Sequence, residues 1–130
     1  MKRHALILFA HGARDPGWAA PFEKIRDLVR HQRPDVVVEL AYLEIMAPRL
    51  TEVMDRIATS GVADVTVAPL FMAQGGHLKE DVPRLLAEVQ ERHPDVQLRL
   101  LPAVGEVDSI LGAICAWLTA SMPGGQTTEH

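Results

Sequence analysis

Residues 4–32 read HALILFAHGARDPGWAAPFEKIRDLVRHQ, and the change of pattern inside them carries the fold signal. The first seven are apolar almost without interruption, as in a strand whose sheet is covered on both sides. From Pro16 onward, Phe22, Ile25, Leu28 and Val29 share one helical face, so 16–32 predicts an amphipathic helix opened by a proline. The same change recurs three times. Strand-like runs at 36–43, 65–71 and 96–101 alternate with helical runs at 48–59, 79–92 and 107–120. Leu50, Val53, Met54 and Ile57 make the stripe of the second helix, and Val82, Leu85, Leu86 and Val89 that of the third. Val107, Ile110, Leu111, Ile114, Trp117 and Leu118 make that of the fourth.

Turn residues agree with this division. Pro34-Asp35 and Pro94-Asp95 separate a helix from the next strand, and Gly61 lies just past a helix end, where a left-handed residue is needed. Strand–helix alternation predicts a parallel sheet with helices on both faces. The first and third strands are nearly all apolar and belong in the middle. Glu39 in the second, and Gln97 and Arg99 in the fourth, mark edges. The strand order expected is therefore 2-1-3-4, with Pro69 near the end of strand three because it cannot donate to a central ladder.

With 130 residues, 48% hydrophobic and 23% charged, the chain suits one α/β domain over 1–121, followed by a polar, Gly-rich tail at 122–130. The single cysteine, Cys115, excludes an internal disulfide or a Cys-rich zinc site, and its place on an apolar helix predicts a buried thiol. A lone thiol suits the reducing cytoplasm. No apolar run is long enough for a membrane span. The short run after Lys2 and Arg3 leads into His11-Gly12-Ala13-Arg14 rather than a signal-peptide cleavage site. A formal charge of −4 argues against nucleic acid as a partner, and an anionic ligand would need a local basic patch.

In an open parallel sheet the ligand site lies beyond the carboxyl ends of the strands, at the switch in strand order. His11 follows strand one, Glu44 follows strand two and His77 follows strand three, so the topology predicts all three at one rim. Two imidazoles and a carboxylate suit a divalent ion such as Co²⁺, Fe²⁺, Ni²⁺ or Zn²⁺, and a neutral imidazole can also accept a proton. Arg14, Arg49 and Lys79 are candidates to meet ligand carboxylates. Gly12, Gly75 and Gly76 would permit tight turns or close approach of a ligand. Asp15 is expected to cap the first helix, and Asp81 to serve as an N-terminal helix charge or to orient His77. Met46, Met54 and Met72 read as packing residues, and His4, His31 and His93 lie away from the rim.

Three segments together resemble a known family: LILFAHGARDP at 6–16, AYLEIMAP at 41–48 and VAPLFMAQGGHLKEDVP at 67–83. Their order and spacing are similar to those of the small CbiX-type sirohydrochlorin cobaltochelatases and ferrochelatases, over essentially the whole chain. The resemblance implies a chelatase-like domain with His11, Glu44 and His77 at the metal-site positions. It implies sirohydrochlorin, a flat tetrapyrrole with eight carboxylate arms, as one substrate and a divalent metal (Co²⁺, Fe²⁺ or Ni²⁺) as the other. No organic cofactor is expected, and a homodimer would enclose the macrocycle. Arg14, Gly75 and Gly76 would contact that substrate. Ala13 departs from the family by standing where serine is common. The competing readings are a carrier that keeps the pocket without turnover, and a histidine phosphatase. The latter is disfavoured because no arginine directly precedes His11.

Overall fold

The computed structural model describes residues 3–124. Four parallel strands, β1 (His4–Ala10), β2 (Val36–Tyr42), β3 (Asp64–Pro69) and β4 (Gln97–Leu100), form one sheet in the order β2-β1-β3-β4. The helices are α1 (Ala20–Gln32), α2 (Leu50–Thr59), α3 (Gly76–Arg92) and α4 (Asp108–Ser121). Strand order, parallel pairing and the position of Pro69, the last residue of β3, are as the sequence predicts. The tail expected at 122–130 is exposed over its first three residues, and its remainder, 125–130, lies outside the described residues.

Alternation along the strands builds two apolar layers. Ile7, Phe9, Val65 and Val67 point to one face and pack against Val53, Met54 and Ile57 of α2 and Val82, Leu86 and Val89 of α3. Leu8, Ala10, Val38, Leu40 and Tyr42 point to the other, where Trp18, Phe22 and Val29 cover them. Side chains as fully buried as Ile7, Phe9, Val53 and Val67 each stabilise the fold by about 1.5–3 kcal/mol.

The starts of three helices differ from expectation, and β3 ends two residues early, at Pro69. Residues 16–32 do not form one helix: Pro16–Ala19 is a 3-10 turn capped by Asp15, whose carboxylate accepts from the Gly17 N–H at 2.9 Å, and the α-helix starts only at Ala20. Pro48 precedes α2 rather than opening it, and its carbonyl accepts the Tyr42 N–H at 2.9 Å. The third helix starts at Gly76 instead of Lys79, so His77 lies in a helical first turn rather than in a loop. First-turn N–H groups need no helical partner, which lets a glycine serve there at little cost. Gly61 has φ +90° just after α2, as expected.

The amino-terminal end of the sheet holds a structural polar cluster. Asp55 of α2 accepts from Arg92 at 2.6 Å and lies 2.7 Å from Nε2 of His93, tying α2 to the end of α3. The hydrogen bond from Arg92, then that from His93, holds the Asp55 carboxyl below its ordinary value. A depressed folded-state pKa gives stability that is present above the unfolded value and is lost as pH falls through the folded one. Asp55→Asn is therefore expected to unfold more easily at neutral pH yet to lose less stability than wild type below about pH 4. Urea midpoints measured across that range check it.

Candidate functional site

The parallel strands bring their carboxyl ends to one rim, and backbone hydrogen bonds sew the following loops together. Leu43 N–H donates to the Ala10 carbonyl at 2.8 Å, Glu44 N–H to the His11 carbonyl at 3.0 Å, and Leu70 N–H to the Phe9 carbonyl at 2.8 Å. Thus the end of β1 is held between the segments after β2 and β3, and His11 itself is tied to Glu44.

His11 is half-buried. Its ring lies against Phe71, with centroids 4.5 Å apart and planes at 46°. Phe71 is itself fully buried and packs on Phe9 at 5.7 Å. A rigid aromatic therefore fixes one side of the imidazole, as a positioned functional group requires. Gly12 follows with φ +97°, and a Cβ there would lie 1.9 Å from the Glu44 carbonyl oxygen. Only glycine permits that approach.

Glu44 is exposed beside this contact. Its carbonyl also accepts the Met46 N–H at 2.7 Å, and Ile45 between them has φ +72°. A β-branched residue in that region is strained, and such strain clusters at functional sites. Ile45 is 54% exposed, so an apolar side chain is displayed at the rim next to Glu44. Nothing in the sequence signals this, because β-branched residues ordinarily avoid positive φ. Met72, expected to pack inside, is 59% exposed at the same rim, while Met54 is buried in the core as expected.

His77 is exposed in the first turn of α3. The loop between Phe71 and that helix separates it from His11. Among the described residues, no three His, Cys, Asp or Glu side chains are gathered closely enough to share one metal ion. The backbone thus joins His11 and Glu44 directly, while the three side chains do not stand as a closed ligand set.

The remaining candidates are placed as follows. Arg14 and Lys79 are exposed, and among the described residues neither is in an ion pair. Arg49 is the N-cap of α2, its N–H donating to Glu52 at 2.7 Å and its guanidinium reaching the Leu43 carbonyl at 3.4 Å. Asp81 is paired with Arg84 at 3.1 Å. Gly75 (φ −70°) and Gly76 have open space where a Cβ would stand, so their own backbone does not require glycine. His4 meets Asp64 at the opposite end of β1.

A shallow depression of about 460 Å³ lies on this rim beyond β3 and β4, lined by Gln74, Lys79, Val82, Leu100, Leu101 and Glu106 among others. Its far wall is the 3-10 turn Val104–Glu106. Gly105 of that turn is pressed so closely to the Met72 carbonyl that any Cβ would overlap it. Gly105 is missed by reading the sequence alone; the lone glycine among 102–107 is the feature that could have signalled this contact. The depression is open, and the described chain supplies one wall for a flat ligand rather than two.

A family model described as CbiX matches residues 5–120. The chain is 35% identical over 82 residues to a sirohydrochlorin cobaltochelatase of Methanopyrus kandleri, covering 63% of this chain and 57% of that protein. It is 29% identical over 89 residues to one from Methanocaldococcus jannaschii, covering 68% and 62%. The matched region thus spans less than two thirds of the length of these curated relatives. Among solved structures, the CbiX protein of Marinobacter aquaeolei VT8 superposes with a TM-score of 0.79 at 32% identity, covering 90% of this chain and 95% of that one. The sirohydrochlorin chelatase SirB of Bacillus subtilis subspecies spizizenii, solved in complex with cobalt, shares the fold, with a TM-score of 0.76 at 20% identity over 93% and 51%.

Proposed function

The chain belongs to the CbiX family, and from that premise we propose that it inserts a divalent metal ion into a sirohydrochlorin-type tetrapyrrole. Co²⁺ or Fe²⁺ is the ion proposed, with Ni²⁺ also suited to these ligands. The observation that carries the reading is the rim itself: His11 braced on buried Phe71, with Gly12 closed against Glu44, inside a domain that the family model matches almost end to end.

In this reading His11 and His77 handle the ion, and Glu44 assists. The ion is a substrate, so the site has to release it. An open, incomplete ligand set suits that task better than a closed four-ligand site, which retains its metal. Two pyrrole N–H bonds break as the ring nitrogens bind the M²⁺ ion, and the two protons pass to the neutral imidazoles. The macrocycle rests on the rim with Arg14 toward its carboxylates and the open backbone at Gly75 and Gly76 toward its edge. Ile45 and Met72 offer apolar surface to the ring face. Residues 1–121 are the proposed functional unit.

No described helix is long and apolar enough to cross a membrane. A cytoplasmic location is proposed because exposed Cys115 is a free thiol that a reducing compartment preserves. A homodimer is proposed because one open wall leaves half of a macrocycle in water.

Mixing the purified protein with sirohydrochlorin and Co²⁺, and following the absorbance change of metallation, tests the activity. Catalysed insertion above the spontaneous rate is expected. Saturable binding with no acceleration would make the protein a carrier instead. Ile45→Gly should relieve backbone strain and raise stability by about 1 kcal/mol, while raising the KM for the tetrapyrrole. Thermal unfolding and steady-state kinetics on one preparation check both.

A further inference from the structure

The start of α3 breaks a local rule. Lys79 stands at the end of the first turn, where the positive pole of the helix disfavours a cation, and that turn holds no acidic residue. Residues three and four positions away share its side of the helix. They are Gly75, Gly76, Val82 and Pro83, none of them charged. Among the described residues Lys79 is in no ion pair. A cation set against the dipole without a partner is a local conflict of the kind expected at functional positions.

Lys79 lines the depression of about 460 Å³ at the rim. His77 and Lys79 are two residues apart, which is about 200° around the helix. The stripe that α3 buries, Val82, Leu86 and Val89 with half-buried Leu78, runs between them. His77 therefore leaves α3 on one flank of that stripe. Lys79 leaves on the other, beside Pro83, which lines the depression with it. Leu100 and Leu101, each more than a third exposed, add apolar lining. The far wall carries Glu106, whose carboxylate accepts the Ala103 N–H at 3.3 Å. The depression thus has apolar sides, a cation on one wall and an anion on the other.

We propose that this depression is the subsite for one carboxylate arm of the tetrapyrrole, which makes Lys79 a specificity-determining residue. This rests on the metal-insertion reading above and adds where an anionic edge of the substrate is recognised. The volume falls in the range of small-ligand pockets, and an apolar lining with one cation suits a hydrocarbon stem that ends in a carboxylate. A chain of formal charge −4 needs such a local cation to hold an anionic arm. Glu106 gives the subsite a direction, because a carboxylate is attracted to the Lys79 wall and repelled from the opposite one. Lys79 and His77 belong to one rigid helix, so an arm held by the first fixes how the ring meets the second.

The test titrates metal-free sirohydrochlorin into the protein, follows binding by tryptophan fluorescence, and measures urea unfolding of each variant. Lys79→Ala should raise the Kd by about 5-fold. Its urea midpoint should stay level or rise, since alanine favours the helix and removes the clash with the dipole. Lys79→Arg should bind like wild type. Glu106→Gln keeps the acceptor for the Ala103 N–H but removes the repelling charge, so its Kd should fall by about 2-fold. Opposite shifts from the two walls are not what a merely structural role produces. Arg56→Ala removes one positive charge from the last turn of α2, at the other end of the sheet, and should leave the Kd unchanged. An unchanged Kd for Lys79→Ala, or an equal rise in Arg56→Ala, would overturn the subsite. So would weaker binding by Glu106→Gln. In each case binding and metal insertion by wild type leave the insertion reading standing. A wild-type protein that does not bind sirohydrochlorin would overturn both.

Discussion

His11→Ala and His77→Ala are each expected to slow metal insertion into sirohydrochlorin by at least about 100-fold, with far-UV circular dichroism unchanged. The two imidazoles carry the effect because each has two tasks in the proposed reaction: donating a lone pair to the ion, then taking a proton from a pyrrole nitrogen. Alanine can do neither. Their settings differ. His11 is half-buried against Phe71, so its loss also frees one side of that ring. His77 is exposed on the first turn of α3 and leaves the core untouched. A matched loss of rate in both variants, with a drop in stability confined to His11→Ala, would separate chemistry from packing. Insertion followed by absorbance, beside urea unfolding of each variant, makes the comparison.

Gly12→Ala is the second large effect, and it acts on folding. At φ +97° an L-residue is strained by roughly 1–2 kcal/mol before any contact is considered. The added Cβ would also stand 1.9 Å from the Glu44 carbonyl oxygen, less than any non-bonded pair tolerates. That oxygen cannot simply retreat, because it accepts the Met46 N–H and the Glu44 N–H is bonded to His11. A total loss of at least about 3 kcal/mol is expected, read as a lower urea midpoint. Because the displaced group is the Glu44 backbone, any folded fraction should also insert metal more slowly.

Most of the fold could be read before any coordinates, because the signals were strong and local. His4–Ala10 is continuously apolar and became a central strand. Glu39, Gln97 and Arg99 marked the edges. The rim position of His11 followed from parallel topology alone. What escaped was set by tertiary structure. The stripe on α4 states that a face should be covered, but α4 joins neither apolar layer, so Cys115, expected to be buried, is exposed along with Trp117. The positive φ of Ile45 had no signal because its side chain disfavours it. The α3 helix starts at Gly76, before the expected 79, because a first turn accepts glycine readily although a glycine pair reads as a turn. Met72 reads as packing filler because methionine suits irregular gaps, yet it is 59% exposed at the rim.

The central claim is that two imidazoles, one in the loop after β1 and one in the first turn of α3, serve one ion. The most direct measurement is the insertion rate of His11→Ala/His77→Ala beside the two single variants. Residues that act as a unit are strongly non-additive, so the double variant should be about as slow as the slower single one. Losses that multiply would mean that the two histidines act independently, and would contradict a shared metal-handling site.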